Sequence, residues 1–177
     1  DILADLAGRC LIDFAPASGP VDNEGLATRP LPLIEDGILR HYLTDLQTAG
    51  LLGTEPAARG YRSFARQPSP SSTNTVLSTG ETTYEKMIEG LEKGLIVDQT
   101  LGSGQSNTLA GEFSVNVSLG FLVENGEVVG RVKDAMIAGN VYDLLSRVEA
   151  IGRDAAWVGS DRVPPLCVSQ IKLSSQS

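Results

Sequence analysis

One segment with a strict two-residue alternation constrains the fold of this chain more than any other feature. Positions 112–119 read EFSVNVSL, so that apolar residues follow polar ones at every second place. This period is typical of a β-strand with one buried and one solvated face. The next segment, FLVENGEVVGRV, places Asn125-Gly126 between two apolar runs. Both residues tolerate the positive φ of a two-residue turn, which predicts a hairpin pairing 121–124 with 127–130.

A second hairpin and a terminal strand extend the predicted β-structure. Leu33 to Glu35 is separated from the apolar run Ile38 to Leu43 by Asp36-Gly37, another turn dipeptide. The end of the chain, VPPLCVSQIKL, predicts an edge strand, because neighbouring prolines cannot donate to a ladder.

Two helices are predicted beside these strands. The first begins with Thr82-x-x-Glu85, a capping-box pattern, and its apolar residues recur at helical spacing up to a stop at Gly94. The second begins with Asn140-x-x-Asp143, with an apolar stripe up to Ile151. The predicted class is α+β: predominantly antiparallel β, as a hairpin-rich sheet or a barrel-like form, with two packing helices.

Length and composition exclude several function classes. The 177 residues suggest a single domain over 1–177, and 14 basic against 22 acidic residues leave a net charge of −8. Direct nucleic-acid contact is therefore not expected, because duplex binding needs clustered Lys and Arg. No apolar run reaches the roughly 18 residues of a membrane span.

The cysteines and the chain start lead to two further expectations. Cys10 and Cys167 are too few for a disulfide framework, which fits a reducing cytoplasm. The chain begins at Asp1 without Met or a signal-like segment, so we expect a piece of a longer protein that lacks its N-terminal domain.

The residues that usually carry chemistry are sparse. His41 is the only histidine, and it lies in a predicted strand as RHYL, without the second imidazole that a zincin helix needs. A Ser-His-Asp triad around His41 stays open as an alternative, although no Gly-x-Ser-x-Gly elbow accompanies it. The DNEG segment, Asp22 to Gly25, is interpreted as a tight turn, because it lacks the remainder of a calcium loop.

Several segments, in order along the chain, together resemble the C-terminal domain of the TldD/PmbA family. They extend from about Asp22 to Ala155, and the combination of ENGE, VKDAMIAGN and IGRD is the most specific part. The resemblance implies a metallopeptidase system, described historically as a modulator of DNA gyrase. In that family a TldD-type subunit carries a zinc site, with a His-Glu-x-x-x-His helix and a cysteine ligand near its C-terminal end. The PmbA (TldE)-type subunit lacks these ligands, and the pair encloses a cavity for extended peptides.

The position of Cys167 favours the PmbA (TldE) type. The residue follows GSDRVP in the terminal strand rather than lying in a glycine-rich GVC-like loop. The resemblance then implies a domain that is non-catalytic by itself, has no metal or cofactor of its own, and pairs with a TldD-type subunit or a second copy. A divergent catalytic TldD-type peptidase and a structural dimerisation or gyrase-interaction module remain alternatives.

The segment GSGQSNTLAGEFS is the predicted peptide-binding region. Glycines allow a peptide backbone to approach closely, and serine and asparagine side chains can hydrogen-bond to it. The candidate residues are Gly104, Ser106, Asn107 and Gly111. The alternative is that this segment is a simple connector between elements.

Overall fold

The structure is a computed structural model, which describes residues 15–102, 107 and 109–175. The helices are α1 (Leu46–Leu52), α2 (Tyr84–Glu89) and α3 (Val141–Leu145). The strands are, in chain order, β1 (Ile34–Glu35), β2 (Ile38–Leu39), β3 (Gly60–Tyr61), β4 (Ser69–Pro70), β5 (Thr75–Val76), β6 (Lys93–Leu101), β7 (Glu112–Glu124), β8 (Glu127–Val132), β9 (Ala135–Asn140), β10 (Val148–Ile151), β11 (Ala156–Val158), β12 (Asp161–Val163), β13 (Leu166–Val168) and β14 (Lys172–Ser175).

The predicted fold class is confirmed. The described strands pair antiparallel, with the exception of the parallel pair of β5 and β12, and the helices are short. The chain folds into two compact units. One unit holds the described residues up to Thr79 together with Ala155–Pro164, and the other holds Gly80–Asp154 together with Pro165 onwards.

The first unit is built from short strand pairs and contains a turn with a buried aspartate. Its pairs are β1 with β2, β3 with β4, and a three-stranded sheet in the order β11-β12-β5. The carboxylate of Asp22, itself buried, accepts hydrogen bonds from the backbone N–H of Glu24, Leu26 and Gly60. The DNEG segment is therefore the tight turn that the sequence predicts, and Asp22 joins this turn to β3.

The second unit contains the main sheet. Four of its five strands follow the order β14-β9-β7-β6, and the fifth strand, β8, pairs with β7. Val115 and Val117 of β7 are buried with Ala135 and Ile137 of β9, while Ser114 and Asn116 are exposed. The predicted strand with one wet face is confirmed, and its apolar face forms the core of this unit.

Both predicted hairpin turns are confirmed in position and backbone geometry. Asn125 and Gly126 have φ values of 52° and 78°, between β7 and β8. Asp36 and Gly37 have φ values of 51° and 70°, between β1 and β2. Positive φ at both central residues is the type I′ arrangement, which matches the right-handed twist of paired strands.

Both predicted helices extend too far. The first is capped by Thr83 rather than Thr82 and ends at Glu89, and Leu95 lies in β6 opposite Leu122. The second ends at Leu145, and its expected last turn is strand β10, where Val148 and Ile151 are buried. In both cases pairing with a distant strand supersedes an apolar spacing that also fits a helix.

The single terminal strand that we predicted is also wrong. The segment divides into β13, which pairs with β10, and β14, which is the edge strand of the main sheet. Gln170, between them, has φ of 57°, a conformation that interrupts an extended strand. Strand β2 likewise ends at Leu39, so His41 lies beyond it rather than within a strand.

Candidate functional site

The predicted peptide-binding segment includes a tight turn at the entrance of β7. The backbone N–H of Glu112 donates to the carbonyl of Asn107 over 3.1 Å, and the Asn107 side-chain oxygen accepts from the N–H of Ala110 over 3.3 Å. Gly111 has φ of +72°, and a Cβ there would lie 2.6 Å from the Tyr142 ring. Glycine is thus required at 111 for conformation and for space.

Asn140 joins this turn to the start of α3. Its side-chain oxygen accepts from the N–H of Tyr142 over 2.9 Å, and its side-chain nitrogen donates to the carbonyl of Ala110 over 2.8 Å. The N–H of Val141 donates to the carbonyl of Gly111 over 2.8 Å. One side chain therefore caps the helix and fixes the turn that contains Asn107 and Gly111.

A cavity of about 620 Å³ lies next to this turn. The ends of β7 and β9, helix α3 and the segment before β14 form its walls. Phe113, Leu144 and Ile171 are its apolar lining residues, here called the apolar floor, and the lining also contains charged side chains. Both charge signs are present among the lining residues, which include Glu112, Asp143, Arg147 and Lys172.

The structure therefore describes two of the four predicted site residues. Asn107 lines the cavity, and Gly111 holds the turn beside it. Gly104 and Ser106 lie outside the described residues. Arg147 and Lys172 also line the cavity, but they belong to no sequence motif that would predict this position. The sequence predicts Asn140 only as a helix cap.

Cys167 lies in β13, opposite Ala150 of β10. Its side chain is half-buried, and this desolvation raises the pKa of the thiol, with a further contribution from the nearby carboxylate of Glu149. A raised pKa disfavours the thiolate, which is the form that ligates metals and attacks electrophiles.

We expect Cys167 of the folded protein to react with iodoacetamide more slowly than the same residue in denaturant. At about pH 8 the raised pKa leaves less thiolate in the folded state, and the difference should narrow as the pH rises above the usual thiol range. Peptide mapping by mass spectrometry separates Cys167 from Cys10. Equal rates at about pH 8 would contradict the raised pKa.

Among the described residues, the side-chain contact of His41 is with a backbone carbonyl rather than with a partner of a catalytic triad. Its Nδ1 lies 2.8 Å from the carbonyl oxygen of Pro32, so this nitrogen carries the proton and donates to a backbone group rather than to a carboxylate. The imidazole is exposed. The hydrogen bond links the segment after β2 to the segment before β1.

Neither a metal-ligand cluster nor a membrane helix is found in the described part of the chain. Over residues 15–102, 107 and 109–175, no three His, Cys, Asp or Glu side chains come together as a metal site would require. The described helices are also too short or too polar to cross a bilayer.

Comparison with known proteins shows the family to which this chain belongs. The sequence profile of the PmbA/TldA metallopeptidase C-terminal domain matches residues 6–175. The chain belongs to the TldD/PmbA family and represents its C-terminal domain, as the sequence motifs predict.

Curated relatives carry metalloprotease names. A metalloprotease of Methanocaldococcus jannaschii is 32% identical over 143 residues, which cover 81% of this chain and 32% of the relative. A Haemophilus influenzae protein named as a TldD metalloprotease homologue is 30% identical over 132 residues, covering 74% of this chain and 27% of the relative. The chain thus spans about a third or less of the length of these relatives.

Solved structures share the fold over almost the whole chain. TldE from Thermococcus kodakarensis aligns with a TM-score of 0.84 and 28% identity, covering 98% of this chain and 41% of that structure. A Thermotoga maritima protein, solved as a candidate modulator of a DNA gyrase, aligns with a TM-score of 0.86 and 27% identity, covering 98% and 40% respectively.

Proposed function

We propose that this chain is the C-terminal domain of a PmbA (TldE)-type subunit in a TldD/TldE-type metallopeptidase complex. The domain is non-catalytic by itself and helps to form the peptide-binding cavity and the subunit interface. Its partner is a TldD-type subunit or a second copy, and zinc belongs to the catalytic subunit. The substrates are extended peptides, and the complex works in the cytoplasm without direct contact to nucleic acid or membrane.

The setting of Cys167 is the observation that carries this proposal. The family resemblance implies a cysteine ligand near the C-terminal end of the catalytic type. In this chain the thiol belongs to the β10–β13 strand pair, where Cys167 lies opposite Ala150, rather than to a glycine-rich loop. The likeness to TldE over 98% of the chain supports the same assignment.

The edge of the main sheet supports the peptide-binding part of the proposal. In the sheet order of the described strands, β14 pairs with β9 on one side alone, and its first residue, Lys172, lines the cavity. An unpaired strand edge can hold an extended peptide through main-chain hydrogen bonds, which tolerate many sequences. The turn at Asn107 and Gly111 lies at the same cavity.

The second candidate is the C-terminal domain of a divergent catalytic TldD-type peptidase. The metalloprotease and TldD names of the sequence relatives favour it. The two candidates differ in what the full-length protein does alone, because a catalytic subunit holds stoichiometric zinc and cleaves peptides without a partner.

The decisive experiment therefore uses the full-length natural protein that contains this domain. We expect less than stoichiometric zinc by elemental analysis, and hydrolysis of an unstructured oligopeptide after a TldD-type subunit is added. Stoichiometric zinc together with cleavage by the protein alone would replace the first candidate with the second.

Asn107→Trp tests the cavity in that reconstituted complex. The bulky ring should obstruct the cavity and lower peptide turnover at least severalfold, whereas Asn116→Trp, an exposed position of β7 outside the cavity lining, should leave turnover unchanged. Equal peptide turnover by the two variants would show that the segment around Asn107 does not take part in peptide binding.

A further inference from the structure

Arg147 is the side chain of the cavity that best indicates a ligand. It follows α3, is half-buried, and donates from Nη1 to the carbonyl of Gln170 over a long 3.4 Å. Within the described residues, the ion pairs are Arg40–Glu35, Lys93–Glu124 and Arg153–Asp154, so none of them includes Arg147. A guanidinium that lines a cavity and makes no ion pair within the described residues suits an incoming anion, because it can form charge-assisted hydrogen bonds to it.

Lys172 adds a second positive charge to the same cavity, and it too has no partner among those ion pairs. Arg147 hydrogen-bonds to the backbone of Gln170, and Lys172 lies two residues further along the chain, so both residues line the cavity near one segment. A planar guanidinium can bind both oxygens of a carboxylate, and an ammonium group can add a single further contact.

The floor of the cavity selects a ligand with an apolar group beside its negative charge. Phe113, Leu144 and Ile171 are all partly accessible there. Gly139 lies over the Phe113 ring, where a Cβ would come within 3.1 Å of it, so glycine leaves that ring uncovered. A volume of about 620 Å³ falls within the usual range of ligand pockets, roughly 300–1,000 Å³.

The acidic residues of the cavity lining narrow the choice of ligand further. Glu112 and Asp143 line the cavity and are exposed. Their charges oppose a multiply charged anion such as phosphate more strongly than a singly charged carboxylate. Their oxygens can also accept hydrogen bonds from the N–H groups of a peptide, which a simple fatty acid lacks.

We propose that this cavity binds the free C-terminal end of a peptide, with its carboxylate on Arg147 and Lys172 and its last side chain on the apolar floor. The inference rests on the proposed peptide-binding function and adds recognition of one end of the peptide. Under this arrangement the domain orients an incoming chain by its terminus and is indifferent to most of its sequence.

The first test needs no variant. Binding of acetyl-Ala-Ala-Phe with a free carboxylate is compared with that of its C-terminal amide on the full-length protein, by isothermal titration. We expect the free acid to bind roughly tenfold to a hundredfold more tightly, as for other charge-assisted contacts. A third peptide, acetyl-Ala-Asp-Ala-amide, carries its carboxylate on a side chain and should bind as weakly as the amidated peptide. Equal affinities for all three, or preference for the aspartyl peptide, would overturn the proposal.

The second test assigns the effect to Arg147. Arg147→Met should lower the ratio of the two affinities, free acid over amide, to about one. Arg147→Lys should restore part of the preference, because it keeps the charge without the planar fork. Arg131→Met is the matched control, since Arg131 is exposed on β8 and donates to the carbonyl of Ser118 outside this cavity.

The outcomes separate this proposal from the one on which it rests. Binding of both the acid and the amide with equal affinity, unchanged in Arg147→Met, would overturn end recognition and leave a peptide-binding domain. Absence of binding for every peptide, including a longer extended one, would overturn both proposals.

Discussion

Gly80→Ala is expected to lower the free energy of unfolding of the second unit by roughly 2–4 kcal/mol. A Cβ at this position would lie 2.3 Å from the carbonyl oxygen of Ile151, a backbone atom that cannot rotate away. The strain would also separate two segments that are hydrogen-bonded. The N–H of Gly80 donates to Gly152 over 3.0 Å, and that of Arg153 donates to Thr82 over 2.8 Å.

Hydrogen exchange measured by mass spectrometry is the suitable readout for Gly80→Ala. Amides of β10 should exchange faster in the variant, since β10 ends at Ile151. Gly130→Ala is the control, because Gly130 lies in β8 with open space where a Cβ would lie and an ordinary backbone conformation. It should change stability by less than about 1 kcal/mol. Similar exchange rates of the β10 amides in both variants would show that the close approach of Gly80 to Ile151 does not determine the stability of this region.

Asp22→Ala is expected to lower the free energy of unfolding of the first unit by about 3 kcal/mol. The carboxylate oxygens accept from the N–H groups of Glu24, Leu26 and Gly60 at 3.0, 2.9 and 3.1 Å. Asp22 is 4% exposed, so water cannot replace all of these acceptors after truncation. The N–H of Gly60, which is buried, would lose the side-chain acceptor that it has in the structure.

Urea unfolding followed by tryptophan fluorescence measures this change directly. Trp157 is the only tryptophan of the chain, and it lies in β11 of the same unit. Asp161→Ala provides the control, because Asp161 is exposed in β12 and should shift stability by no more than about 0.5 kcal/mol. An Asp22→Ala midpoint indistinguishable from this control would mean that the turn at DNEG is not held by its carboxylate.

The parts of the fold that the sequence predicts well are those decided by neighbouring residues. Asn125-Gly126 and Asp36-Gly37 each supply two residues that tolerate positive φ, and this property does not depend on the remainder of the chain. The alternation around Val115 and Val117 likewise needs nothing beyond one buried face.

Distant pairing explains the incorrect boundaries. Leu95 fits a helical stripe with Leu91, but in the structure it lies in β6 and pairs with Leu122 of β7. Val148 and Ile151 fit a second stripe, and their partners are in β13, at the far end of the sequence. A local pattern contains no information about such partners, so the helices end earlier than predicted.

The candidate site shows the same difference between features that local sequence predicts and contacts between distant residues. The prediction of Asn107 and Gly111 rests on glycines and a short amide side chain, which mark a segment that a peptide backbone can approach. Arg147 and Lys172 belong to separate elements, and their presence at one cavity follows from the folded structure alone. Asn140 is identified as a helix cap by its spacing to Asp143, whereas its bond to Ala110 is a tertiary contact.

The position of β14 at the edge of the sheet has a consequence for the order of folding. The β7–β8 hairpin closes through a two-residue turn, and β9 follows soon after it along the chain. Strand β14 pairs with β9 only after the long intervening segment that contains β10 to β13. Loop closure therefore costs more conformational entropy for β14 than for the hairpin. Because Ile171 and Lys172 lie at the start of this strand, we expect the cavity to reach its final form late in folding, after the central hairpin has assembled.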